Sequence, residues 1–93
     1  MRLQKEEIKF YFGQNFRYIR NQLGWSRVTM SRKIEISMEA IMAWEKKGQN
    51  ASLTTLVILS DYFGLSLDEL LLVDMEKEGL KPIIDNYKPK TEQ

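Results

Sequence analysis

Ile8, Phe12, Phe16, Ile19 and Leu23 follow one another at intervals of four, four, three and four residues. That spacing gathers them on one face of a helix and predicts a single buried stripe. Gly24 behind them readily supplies a left-handed terminal turn. Ser26 then offers an N-cap oxygen to a second helix through "RVTMSRKI", whose inward residues are Met30 and Ile34. Ser31 is small enough for close helix contact. Ser37 caps a third helix with Ile41 and Trp44 inward, and "KKGQNAS" is a polar loop with turn formers at Gly48 and Asn50. Ser52 opens a fourth helix with the stripe Leu53, Leu56, Leu59 and Phe63, which Gly64 ends. "SLDE", Ser66 to Glu69, has the form of a capping box and starts a fifth helix through "LLLVD". No strand-like alternation and no internal repeat stands out. The pattern predicts an all-α domain of five short helices.

The composition changes at both ends. Residues 1–11 read as an N-terminal extension of the first helix, with Phe10, Tyr11 and Phe12 packing over the domain. Residues 12–73 form the domain itself. Residues 74–93, "DMEKEGLKPIIDNYKPKTEQ", hold both prolines and many charges, and read as a tail that is flexible or docks through Ile83, Ile84 and Tyr87.

The chain has 93 residues, enough for one small core, and neither cysteine nor histidine. Disulfides, thiolate chemistry and the commonest proton shuttle are therefore excluded. "MRLQKEEIKF" carries charges where a signal peptide needs an apolar run, and no stretch approaches the ~18 apolar residues of a membrane span. A cytoplasmic protein that engages no membrane is the expectation. The acidic residues Asp74, Glu76 and Glu78 read as a solvated run, with no cavity to shift a carboxyl toward catalysis. No glycine-rich phosphate loop or metal spacing is present. An enzyme is not expected, nor any cofactor. Net charge is only +1, but residues 1–47 hold ten Lys/Arg against five Asp/Glu, and residues 48–93 four against eight. The first half is suited to meet a polyanion and the second to repel one.

Four stretches, "FGQNFRYIRNQLGWS", "SRVTMSRKIEIS", "AIMAWEKKGQNASL" and "LSDYFGLSLDELL", resemble in their joint spacing the lambda-repressor-like helix-turn-helix family of the Cro/CI and Xre type. The resemblance covers about Phe12 to Val73. It implies a compact five-helix DNA-binding domain whose second and third helices cross at a tight turn, the third lying in the major groove. By that resemblance the groove-facing residues are Arg27, Ser37, Met38, Glu39 and Ala43. Lys46, Lys47 and Asn50 in the following loop meet phosphates, with Arg32, Lys33, Arg17 and Arg2 as lesser candidates. The family's pairing of a late first-helix arginine with a late third-helix glutamate falls on Arg20 and Glu45, a structural ion pair that sets the angle between helices.

Three features depart from that pattern. The third helix offers Ser37, Met38, Glu39 and Ala43 where paired donors and acceptors would suit bases better. Arg27 stands where glutamine is usual. Glu35 stands where glycine is preferred because φ is often positive there, at ~1 kcal/mol for a side chain. The expected function is a dimeric, sequence-specific regulator of transcription, a repressor binding double-stranded DNA. Two alternatives stay open: phosphate contact without sequence preference, and an antitoxin-like or anti-regulator module that keeps the scaffold to bind a partner protein. Ile58 and Tyr62 lie off the inward stripe of the fourth helix, and Leu70 to Val73 exceed what one face can bury. A homodimer interface through Ile58, Tyr62, Leu71 and Leu72 is the expectation. Trp44 is expected in the core, and Trp25 half-buried against the second helix.

Overall fold

A computed structural model describes residues 9–80 and 82. Among these residues there are six helices and no strand: α1 Phe12–Leu23, α2 Arg27–Ile34, α3 Met38–Lys47, α4 Leu53–Phe63, α5 Leu67–Leu72 and α6 Met75–Glu78. The serine caps form as the sequence predicts. Ser26, Ser37 and Ser52 accept from the backbone N–H of Thr29, Ala40 and Thr55, and Ser66 and Glu69 complete the capping box. Each satisfies an N–H that the first helical turn leaves without a partner.

The joints between helices repeat one construction. In a run of six residues the N–H of the sixth returns to the carbonyl of the first, in Arg20–Trp25, Ser31–Ile36 and Ser60–Leu65. The side chain of the first residue donates to the carbonyl of the sixth in all three. The fifth residue is left-handed: Gly24, Glu35 and Gly64 have φ of 70°, 59° and 65°. The sixth is apolar and packs against the core, and a serine N-cap follows it. The sequence shows no such repeat, because arginine replaces serine in the first joint and glutamate replaces glycine in the second.

α1 lies at the centre, with α3 and α5 packed upon it. Phe12, Phe16, Ile19, Met30, Ile41, Leu59, Phe63, Leu70 and Met75 are fully or almost fully buried. Phe12 and Phe16 meet Trp44 edge-on at centroid distances of 5.2 and 5.1 Å, and Phe16 reaches Phe63 at 6.5 Å. Such edge contacts add ~0.5–1.5 kcal/mol each beyond area burial. Trp44 is thus core, as its spacing predicts. Trp25 is partly buried, with the Lys33 ammonium 5.5 Å from its ring centroid.

At Gly13 the backbones of α1 and α3 come into close contact. A Cβ there would lie 1.9 Å from the carbonyl oxygen of Trp44, so only glycine lets the α1 and α3 backbones meet.

Four details differ from expectation. Leu53 is 70% exposed, because Ala51, just ahead of α4, packs against the core at that end. The first helix begins at Phe12, and Lys9, Phe10 and Tyr11 lie outside it. Tyr11 has no capping side chain. Its N–H donates instead to Leu71 O at 2.7 Å, and Phe10 stays exposed. Ile8 and Arg2 lie outside the described residues.

The segment after Asp74 opens with α6, whose Met75 is buried and whose following Leu80 packs on the core. Ile83, Ile84 and Tyr87 lie outside the described residues. Finally, α5 ends at Val73 in extended backbone without a glycine turn. Its carbonyls are satisfied from α1. The Asn15 amide donates to Leu70 O at 2.9 Å, Val73 O at 2.7 Å and, at 3.4 Å, Glu69 O. Asn15 Oδ1 accepts from the Met75 N–H at 3.1 Å, and Gln14 Nε2 donates to Asp74 Oδ1 at 2.9 Å.

Candidate nucleic-acid interface

The α2–α3 unit is fixed from inside by a charged cluster. Glu45 has a fully buried side chain, and Arg20 grips it at two points: Nε to Oε2 and Nη2 to Oε1, both at 2.9 Å. Arg20 also donates to Trp25 O at 3.1 Å, which closes the α1–α2 joint. The hydrogen bond to Glu45 holds the Arg20 guanidinium above its ordinary pKa, against the opposing effect of burial. The structural ion pair read from the resemblance is therefore present in bidentate form. A third member was not foreseen. Arg27 Nε donates to Glu45 Oε1 at 3.1 Å, so the residue expected to face DNA alone is tied to the same carboxylate.

On the outer flank of α3, Ser37 and Glu39 are exposed, and Met38 and Ala43 are half-buried. The Ser37 oxygen accepts from the Ala40 N–H, which leaves its O–H to donate outward. Met42, exposed one turn after Met38, belongs to the same flank, although the sequence reading passes over it. The signal was present, since four residues separate two methionines on one helix.

Lys46, Lys47 and Asn50 are all exposed, and they line one cleft of about 520 Å³ together with Gly48, Gln14 and Arg17. Arg17, a lesser candidate by sequence, thus joins the two lysines across the α1–α3 contact, and Phe10 forms part of the same wall. Among the described residues the only carboxylate in that lining is Glu45, whose side chain is buried and paired. Arg17, Lys46 and Lys47 therefore give the cleft a predominantly positive lining. Glu35 is the C-cap of α2 and does not line the cleft. Among the described residues no cluster of His, Cys, Asp or Glu that could hold a metal ion occurs. None of the described helices is long and apolar enough to cross a membrane.

The expected dimer residues divide. Ile58 and Leu72 are exposed at 57% and 47%, whereas Tyr62 and Leu71 are partly buried against the protein's own core. Leu53 and Val57 extend the exposed apolar surface along α4.

Residues 16–70 match the model of the helix-turn-helix family. The chain belongs to that family, in its Cro/CI-type branch. The lambda-repressor-like fold expected from the sequence is the fold found, with α6 added to the five helices. No curated protein matches the chain. A solved structure of a transcriptional regulator from Listeria innocua matches with a TM-score of 0.61 at 20% identity, over 69% of this chain and 60% of the regulator. The chain therefore spans less than two thirds of that regulator's length, and the likeness is one of fold. As a helix-turn-helix domain of this type, the chain is a DNA-binding module.

Proposed function

We propose that the protein is a sequence-specific regulator of transcription that binds double-stranded DNA as a homodimer, α3 lying in the major groove, and that it acts as a repressor by occluding a promoter. The observation that carries this reading is the basic cleft of Arg17, Lys46 and Lys47 directly beside the exposed flank of α3. The cations hold phosphates, and the flank meets base edges. On that flank Met38, Met42 and Ala43 offer apolar contact to thymine methyls. The Ser37 hydroxyl donates to an acceptor, and Glu39 accepts from a cytosine amino group while disfavouring other bases. No catalytic step is needed. The solved regulator of the same fold supports the regulatory role.

Dimerisation would use the apolar surface of α4 and α5. Ile58 and Leu72 provide its exposed part, and Tyr62 and Leu71 their exposed edges. Two copies related by a two-fold axis would present their α3 helices ~34 Å apart, one DNA turn, to a palindromic operator. The second reading, a protein-interaction module on the same scaffold, is favoured by one observation: Leu53 and Val57 add to the apolar face beyond the residues expected to dimerise.

Fluorescence-anisotropy titration separates the two, using random duplex and the DNA upstream of the protein's own coding region at two salt concentrations. Tight binding to one sequence with a steep salt dependence is the expected result. Equal and feeble binding to both would discard the regulatory reading.

A further inference from the structure

Glu45 holds more than the helix angle. Its two oxygens are already paired with Arg20, yet Oε1 accepts a third hydrogen bond, from Arg27 Nε. One buried carboxylate thus carries two guanidinium groups, and the cluster keeps one uncompensated positive charge. Arg20 is the inner partner. Arg27, at the first position of α2, has a side chain 25% exposed.

A guanidinium can grip paired acceptors along two edges: the side edge with Nε, and the end with its two Nη groups. Glu45 takes hold at the Nε edge, and the Arg27 Nη groups make no hydrogen bond among the described residues. An arginine anchored in this way has already lost much of its side-chain freedom, so gripping a ligand with its free end costs less ordering.

We propose that Glu45 is a positioning residue for DNA recognition: its buried carboxylate fixes Arg27 through Nε and turns the Nη end of that side chain toward the duplex. The ligand class is a pair of acceptors spaced for that fork, either two phosphate oxygens or O6 and N7 of guanine. The inference rests on the DNA-binding reading above and adds a role for Glu45 that packing alone does not require. Arg27 supplies the contact, and Glu45 acts through it.

The test uses the full chain and a duplex that the wild type binds, with R27A, R27K, E45Q and the double variant E45Q/R27A, each at a temperature where circular dichroism shows it folded. R27K keeps the charge and leaves the Arg20–Glu45 pair intact, but has neither Nε–H nor fork. It should lose affinity about tenfold or more, as R27A does. E45Q should weaken binding when Arg27 is present and leave it unchanged in the R27A background. Loss that is uniform across duplex sequences identifies phosphate as the acceptor, and loss confined to guanine-containing sites identifies a base edge. R27K binding as tightly as wild type would overturn the proposal. So would an E45Q effect of equal size in both backgrounds, which is what a merely structural glutamate gives. If E45Q does not fold, E45D takes its place in both backgrounds and is judged by the same comparison, with R27K as the check on the fork. A wild-type chain that binds no duplex would overturn this proposal and the DNA-binding reading together, whereas wild-type binding that R27A and R27K leave unchanged would overturn this one alone.

Discussion

Replacing Glu35 with glycine should make the protein more stable. Glu35 has φ 59° and ψ 44°, and it is the only non-glycine residue with positive φ among those described. Holding an L side chain there costs ~1–2 kcal/mol. Glycine removes that cost but brings greater freedom to the unfolded chain, worth ~0.5–1 kcal/mol in the other direction. Glu35 is exposed, and no hydrogen bond or ion pair of its side chain would be lost. The balance favours Glu35→Gly by roughly 0.5–1 kcal/mol, and for a domain of this size that raises Tm by roughly 3–6 °C. Thermal unfolding followed by circular dichroism reads the shift.

A control separates the backbone from charge, because a carboxylate at the C-terminal end of α2 also opposes the helix dipole. Glu35→Ala removes the charge and keeps the strained conformation, so its Tm should stay well below that of Glu35→Gly. A lower Tm for Glu35→Gly, or an equal rise for both variants, would refute the strain argument. Affinity for duplex DNA should be equal in Glu35→Gly and Glu35→Ala, since both lose the carboxylate and glycine adopts the same backbone angles, which leaves the tilt of α3 alone.

The other expectations follow from single contacts. Gly13→Ala drives a methyl into the Trp44 carbonyl oxygen and should cost about 3 kcal/mol in urea unfolding; a loss below about 1 kcal/mol would mean that the α1–α3 contact yields easily. Asn15→Ala strips partners from buried carbonyls and from the Met75 N–H, for a loss of roughly 2–4 kcal/mol in the same assay. Arg17→Ala, Lys46→Ala and Lys47→Ala should each lower the slope of log affinity against log salt by about 0.9 while leaving sequence preference intact; an unchanged slope removes that residue from the phosphate contacts. Ile58→Asp should shift the sedimentation of the chain from dimer to monomer at micromolar concentration without unfolding it; a wild type that is already monomeric at tens of micromolar ends the dimer proposal.

What the sequence discloses depends on whether the physics is local. Serine caps, the capping box and the glycine turns act within a few residues, so Ser26, Ser37, Ser52, Ser66 and Gly64 could be read directly. The stripe Phe12, Phe16 and Ile19 of α1 is equally plain, because period and burial coincide there. Leu53 broke its stripe because a neighbour outside the helix, Ala51, packs on the core at that end. Asn15 sits among apolar residues and gives no local sign of its task, since its partners lie 54 to 60 residues away. Gly13 is likewise silent, as its reason is the backbone of another helix.

The candidate site was half legible. Its position came from helix order and from the resemblance. That Arg27 shares a carboxylate with Arg20 depends on where three helices converge, which spacing along the chain does not encode. The positive φ of Glu35 was legible only through the family's preference for glycine, and the chain keeps the conformation while discarding the residue that suits it.

The clasp that Asn15 and Tyr11 make on the end of α5 settles where the molecule can be cut. α5 is six residues long and finishes without a stop signal of its own, so its last turn is completed by side chain and backbone borrowed from the opposite end of the chain. A truncation after Val73, the boundary that composition invites, would remove Met75 from the interior and leave an amide oxygen stranded there. The smallest autonomous version of this protein should run at least to Leu80, and its two ends should melt together as one cooperative unit.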